Sequence, residues 1–225
     1  MQTNAQSICF DFDRAARIGL PEAVFCEGKS EVALSTLLKD YGRDTSRPIL
    51  FTRLDKNIFD SQPEKVRRAY TYDALSKTAF CACLPKKEQG SVAVVSAGTA
   101  DGVVTWEAAK TLEYLGIETR VFEDCGVAGL WRLLSRMDEI NKADVVIVVA
   151  GLDAALASVL GGLTDKPVFA VPSPVGYGIA NEGMTALSSM LASCAPGISV
   201  LNIGNGYGAA CAAARVLRLL ETKIP

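Results

Sequence analysis

Cys194 stands in the stretch Met190-Leu-Ala-Ser-Cys-Ala-Pro-Gly197, between two glycine-rich segments, Val175-Gly-Tyr-Gly178 and Asn202-Ile-Gly-Asn-Gly-Tyr-Gly208. Glycine lets backbone approach a ligand without a Cβ clash, so a thiol among such turns is a candidate nucleophile. The chain contains no histidine, which removes the usual base for activating a serine or cysteine. Any chemistry falls to carboxylates, lysine, tyrosine, thiols, backbone amides or a bound metal. Cysteines are more often small buried hydrophobes than nucleophiles. Cys211, within Ala209-Ala-Cys-Ala-Ala-Ala214, is expected to pack a tight helix face. Cys125 is expected at a helix N-terminus, a position that lowers a thiol pKa. Cys81-Ala-Cys83 has the wrong spacing for a redox or zinc pair.

Carboxylates supply the second set of candidates. Ser96-Ala-Gly-Thr-Ala-Asp101 follows an apolar run and leads into a helical pattern, so Ser96, Gly98 and Thr99 could present amides to a phosphate. Asp101 reads either as part of that site or as a helix cap. Asp153, in Ala150-Gly-Leu-Asp153, occupies the corresponding place two strands on, with capping again the alternative. Gly176, Tyr177 and Gly178, then Asn202, Asn205 and Gly206, follow the later strands. Three glycine-bearing segments at successive strand ends suit a nucleotide-like ligand. Ala23-Val-Phe-Cys-Glu-Gly-Lys-Ser30 fits the loose phosphate-loop pattern, but its loop positions are bulky and Glu27 opposes the charge. Lys29 remains there as a cationic contact.

The elements that position these residues read as alternating strands and helices after residue 88. Strands are expected at Ser91–Ser96, Glu118–Phe122, Ala143–Ala150, Pro167–Val171 and Ile198–Asn202. Helices are expected at Val104–Leu115, Ala128–Met137, Ala154–Leu160, Glu182–Ala192 and Gly208–Glu221. Strands apolar on both faces, separated by helices, predict an α/β fold with a flavodoxin-like doubly wound parallel sheet and ligands at the C-terminal strand ends. Residues 89–225 form this domain, and residues 1–88 a small α/β N-terminal domain. In the latter, strands at Ala23–Cys26 and Pro48–Phe51 alternate with helices at Glu31–Lys39 and Pro63–Leu75. The 225 residues suffice for a core, and a net charge of −2 gives no electrostatic reason to bind nucleic acid or anionic membrane. Seven cysteines without an apolar leader point to a reducing cytoplasm.

Taken together, Ser96–Asp101, Cys125-Gly-Val-Ala-Gly-Leu130, Val175–Gly178, Ser193-Cys-Ala-Pro-Gly197 and Asn202–Gly208 resemble the LarB family. Its members are pyridinium-3,5-biscarboxylic acid mononucleotide synthases of nickel-pincer nucleotide biosynthesis. Asp13-Arg14, Arg17, Gly19, Pro21-Glu22 and Gly28-Lys29-Ser30 extend the likeness to nearly the whole chain. The C-terminal part is similar to AIR carboxylase (PurE), which assembles as an octamer. The resemblance implies carboxylation of the pyridinium ring of nicotinic acid adenine dinucleotide from CO2 or bicarbonate, and phosphoanhydride hydrolysis releasing AMP with help from Mg2+. It implies Cys194 as the nucleophile, Asp153 and Asp101 as acid/base groups, the three glycine segments with Lys29 on the nucleotide, and a homo-octamer. The chain departs from the family pattern at Trp106, Trp131, Asp153, Ala157 and Gly204, where an acidic residue, His, Glu, Pro and Asp are usual. The rival readings are AIR carboxylase or mutase proper, which relies on a histidine, and a nucleotide-binding paralogue with weakened catalysis.

Overall fold

The computed structural model describes residues 10–43 and 47–221. The chain divides into two compact units, Met1–Leu84 and Pro85–Pro225. In the first, α1 (Arg14–Ile18), β1 (Ala23–Phe25), α2 (Glu31–Tyr41), β2 (Ile49–Thr52), α3 (Lys56–Asp60), α4 (Glu64–Arg67), β3 (Thr71–Asp73) and β4 (Thr78–Cys81) follow in order. The sheet order is β1-β2-β4-β3. β1 and β2 run parallel, and β4 pairs antiparallel with both β2 and β3. Ser30 accepts the Ala33 amide to start α2, and Asp55 accepts the Asn57 amide to start α3, each relieving an unpaired helix donor. Leu34, Leu37 and Leu38 of α2 close over Ile49, Phe51 and Cys81 to make the core.

The N-terminal expectation needs one correction. The helix expected over Pro63–Leu75 stops at Arg67, and Thr71 opens a hairpin into β4, which was not foreseen. Its turn contains no glycine: Asp73 Oδ1 accepts the Ser76 amide and hydroxyl, and Lys77 takes the left-handed conformation at φ 54°.

The second unit runs β5 (Ser91–Ser96), α5 (Gly102–Tyr114), β6 (Glu118–Phe122), α6 (Leu130–Leu134), α7 (Met137–Ile140), β7 (Val145–Ala150), α8 (Ala155–Gly161), β8 (Val168–Pro172), α9 (Met184–Leu191), β9 (Ile198–Val200) and α10 (Gly206–Glu221). Its five strands are all parallel in the order β6-β5-β7-β8-β9. That is the flavodoxin-like order, with the topological switch between β5 and β7. All six residues of β7 are fully buried, as expected of a central strand covered on both faces. Val95, Val146, Val148 and Ala170 face Leu133, Leu156, Leu160 and Met190 from α6, α8 and α9. α5 and α10 pack on each other over the opposite face.

Two helices differ from expectation. The expected helix Ala128–Met137 is a 3-10 turn at Val127–Gly129, then α6, then α7, with Arg136 at φ −111° breaking the last two apart. The helix expected from Glu182 begins at Met184, because Gly183 adopts φ 78°. The small residues of α10 have an intrachain role: Ala209, Ala210 and Ala213 are buried in the helix that packs on α5. Among the described residues no helix is long and apolar enough to cross a membrane.

Candidate functional site

A cleft of about 770 Å³ opens over the C-terminal ends of β5, β7 and β8. Parallel α/β sheets bind ligands at this place, because strand ends and helix starts converge there at the switch point. Of the residues singled out in the sequence, Gly98, Asp101, Asp153 and Tyr177 line it.

Asp101 ends the 3-10 turn Thr99–Asp101 between β5 and α5, and only 4% of it is exposed. Its Oδ2 accepts the Gly98 amide at 2.8 Å, closing the turn. Its Oδ1 is buried without a well-formed hydrogen bond. Burial pushes the Asp101 carboxyl above the usual range, while the Gly98 amide, the Ser173 hydroxyl and the Gly151 amide offset part of that push. The cap reading and the site reading both hold for this residue: one oxygen serves the fold, and the other is left at the floor of the cleft.

Asp153 is exposed and accepts the Ala155 amide at 3.3 Å, a local cap of α8. Its neighbours Leu152 and Ala154 both take left-handed conformations, at φ 52° and 53°. Non-glycine residues pay on the order of 1 kcal/mol for this, and such strain concentrates at functional sites. All three residues line the cleft. The Val175 carbonyl accepts the Leu152 amide at 3.0 Å, which ties this turn to the segment after β8. Tyr177 and Ile179 on that segment are 80% and 95% exposed while lining the cleft.

The other residues lie elsewhere. Ser96 is fully buried at the end of β5, with its hydroxyl unpartnered. Thr99 is exposed outside the lining. Gly176 packs the segment itself, since a Cβ there would meet the Ala180 carbonyl at 2.1 Å, and Gly178 sits at φ 58°. Asn202, Asn205 and Gly206 follow β9 but do not line the cleft. Their roles are local: Asn202 accepts the Ile203 amide and Asn205 the Gly208 amide. Gly206 allows α10 to touch α5, because a Cβ would fall 2.3 Å from the Val104 carbonyl. Lys29 is exposed in the turn between β1 and α2 of the N-terminal unit.

Cys194 requires the main correction. It is exposed, but it lies in the turn between α9 and β9. Ile198, four residues on, pairs with Val168 at the start of β8. The thiol is therefore at the N-terminal edge of the sheet, about 16 Å of strand length from the cleft, the span of the five residues of β8. The Ser193 hydroxyl holds the turn, meeting the Ser158 hydroxyl at 2.7 Å and accepting the Ala195 amide at 3.2 Å. Within one chain Cys194 does not meet Asp101 or Asp153.

The Cys125 expectation is also reversed. Its side chain is buried, and burial pushes its thiol up despite Arg136 Nη1 at 3.3 Å. Cys26 is pushed up to about 12 and Cys211 to about 11, both by burial. Cys81 is buried and Cys83 exposed, and Cys9 lies outside the described residues.

Sequence reasoning passed over two groups. Glu107 is buried on α5 and accepts the Tyr207 amide at 3.2 Å, occupying the start of α10. A charge on the stripe Val104, Ala108, Thr111 was its signal. Ser173, fully buried after β8, faces Asp101 and carried no comparable signal. Of the departures, Trp106 donates its indole N–H to Glu123 at 3.2 Å, Trp131 is 72% exposed on α6, and Gly204 is left-handed at φ 66°. Among the described residues no three acidic or thiol side chains cluster as a metal cage.

Comparison with known proteins accords with this fold. The AIR carboxylase family matches residues 91–225, and the LarB/PurE-like N-terminal domain matches residues 3–82. An uncharacterized protein of Methanocaldococcus jannaschii is 33% identical over 94% of this chain and 84% of its own length. The N5-carboxyaminoimidazole ribonucleotide mutase of the same organism is 33% identical over 59% of this chain and 82% of its own. A probable mutase of that kind from Methanothermobacter thermautotrophicus is 27% identical over 59% of this chain and 39% of its own. The chain belongs to the AIR carboxylase family, a group of carboxylase- and mutase-like enzymes, and has the two-domain architecture of its LarB-like members.

Proposed function

We propose that this protein is a LarB-type carboxylase and hydrolase, which adds a carboxyl group to the pyridinium ring of nicotinic acid adenine dinucleotide and cleaves its phosphoanhydride to release AMP. The observation that carries the reading is the pairing of a LarB-like N-terminal domain with an AIR carboxylase cleft in a chain without histidine. The purine-pathway reaction relies on a histidine that this chain cannot supply.

A pyridinium ring is too electron-poor to attack CO2. Addition of the Cys194 thiolate at ring C4 forms a C–S bond and moves an electron pair to the ring nitrogen. The resulting enamine attacks CO2 through C5, a carboxylate takes the C5 proton, and expulsion of sulfur restores aromaticity. In this reading Asp153, exposed in the cleft, takes that proton, and Asp101 lies at the cleft floor. Magnesium commonly binds through one or two carboxylates plus substrate phosphates, and Asp101 and Asp153 fit that donor set. Such an ion would supply charge neutralisation for the phosphoanhydride cleavage.

Because the cleft lining contains no thiol, Cys194 reaches the substrate only from a second copy of the chain. Leu191, 68% exposed beside the Cys194 turn, and Leu152, Tyr177 and Ile179 at the cleft are apolar surfaces available for that contact. The homo-octamer implied by the family resemblance would provide it. The test is incubation with nicotinic acid adenine dinucleotide, magnesium and labelled bicarbonate, with products weighed. Carboxylated mononucleotide and AMP are expected from the wild type, no carboxylation from Cys194→Ala, and a dinucleotide adduct on Cys194 after trapping. Full turnover by Cys194→Ala, or an adduct on Cys125, refutes the assignment.

A further inference from the structure

The segment after β8 holds one aromatic ring in the open. Gly151, at the end of β7, approaches it so closely that a Cβ there would be 2.2 Å from the Val175 carbonyl. That carbonyl accepts the Leu152 amide at 3.0 Å, and the Tyr177 carbonyl accepts the Ala180 amide at 3.1 Å. Gly176 is pressed against Ala180, and Gly178 turns the chain at φ 58°. The backbone on both sides of Tyr177 is therefore pinned, while Tyr177 itself is extended (φ −145°, ψ 166°) and 80% exposed. Held this way, a tyrosine offers a large flat face with only two side-chain torsions to fix.

Among the described residues Tyr177 is the one aromatic side chain that lines the cleft. Small neighbours such as Ala97, Gly98, Ala128 and Gly151 leave room beside it for a flat ring. The charges in the described lining share one sign, since Asp101 and Asp153 are present and lysine and arginine are not. A phosphate entering this space meets like charge, whereas a cationic ring is attracted. An aromatic face also attracts a cation through its quadrupole, more strongly as water is excluded. The pyridinium is the one part of the dinucleotide that is both flat and positively charged on its face.

We propose that Tyr177 receives the face of the substrate's pyridinium ring, and that this contact makes the cleft select the oxidised, cationic ring over its neutral dihydro form. The inference rests on the dinucleotide reading given above, in which the ring must reach Asp153. Leu152 and Ile179 remain available for the contact with a second copy.

The experiment measures binding of the oxidised and dihydro forms of nicotinic acid adenine dinucleotide by calorimetry, without magnesium or bicarbonate. The full-length protein carries Cys194→Ala, so that no thiol adduct adds to the affinity. The two ligands share sugars, phosphates, adenine and ring carboxylate, and differ in the charge of the ring. The oxidised form should bind about fivefold to thirtyfold more tightly. Adding Tyr177→Leu should remove several-fold of that preference, and Tyr177→Phe should keep most of it. Both substitutions fall on an exposed side chain and leave the core intact. AMP, which has no pyridinium, should bind Tyr177→Leu as it binds the parent. Equal affinity for the two forms, or a preference that survives Tyr177→Leu, overturns the inference and leaves the dinucleotide reading standing. A loss of AMP affinity in Tyr177→Leu also overturns it, because adenine then occupies the tyrosine face. If Tyr177→Leu shifts the oligomeric state in light scattering but not the preference, Tyr177 belongs to a contact between copies and the inference falls. If the parent binds neither form, the dinucleotide reading itself falls and takes this inference with it.

Discussion

Asp101 divides its two oxygens between fold and cleft, and that division has a thermodynamic signature. Burial raises its pKa in the folded state, so the native protein binds this proton more tightly than the unfolded chain does. Linkage then requires stability from this group to be full below the unfolded value of 3.8 and to decline as pH rises toward the folded value. Asp101→Asn keeps an acceptor for the Gly98 amide and removes the cost, so it should raise Tm at neutral pH and flatten its decline above pH 3.8. An unchanged Tm–pH profile in thermal scans would show that Asp101 is not desolvated in solution. The same variant should lose turnover, because the cleft floor loses its carboxylate. Asp153 lends itself to a different experiment. Its side chain is exposed, so Asp153→Glu has room, and a longer reach toward the substrate should raise turnover. Proton transfer by a placed side chain contributes roughly 10²–10⁴-fold, so a shift within that range is measurable. A fall in activity would mean that the pocket has contracted around the shorter acid.

At the level of elements, the turn from β7 into α8 holds two left-handed non-glycine residues around Asp153. Ala154→Gly should relieve strain at one of them and stabilise the protein by about 1 kcal/mol, read as a higher midpoint in denaturant; a lower midpoint would show that the alanine methyl, 2% exposed, contributes more in packing than the strain costs. This turn also shows what could be read in advance. β7 was legible because it is apolar on both faces, and Asp101 and Asp153 were legible because each closely follows a strand of that kind. The β3–β4 hairpin was not, since an Asp73 side chain and a left-handed Lys77 make its turn where glycine or asparagine would have signalled one. Cys194 misled through proximity in sequence. Only β9 separates it from Asn202–Gly208, and one strand is enough to put the two at opposite edges of the sheet.

For the whole molecule, the thiol edge and the cleft edge are different surfaces, so a contact that joins them is either reciprocal across a two-fold axis or head-to-tail in a closed ring. Light scattering at micromolar concentration should report a closed oligomer; a monomer would remove the route proposed for Cys194. Mixing inactive Cys194→Ala with inactive Asp101→Asn under subunit exchange should restore about a quarter of wild-type activity, because some sites then join an intact thiol to an intact carboxylate. No recovery despite proven exchange would place both groups in one chain. A different consequence follows from β7, whose six residues are sealed on both faces at the centre of the sheet. Amides there can meet solvent deuterons only when the whole domain opens, whereas the segment bearing Tyr177 and Ile179 lies in water. The cleft therefore joins the slowest-exchanging part of the domain to one of its fastest. A ligand can leave its mark in protection of the 175–180 segment while the strand beneath keeps the exchange rate of the empty protein, apart from whatever the ligand adds to global stability.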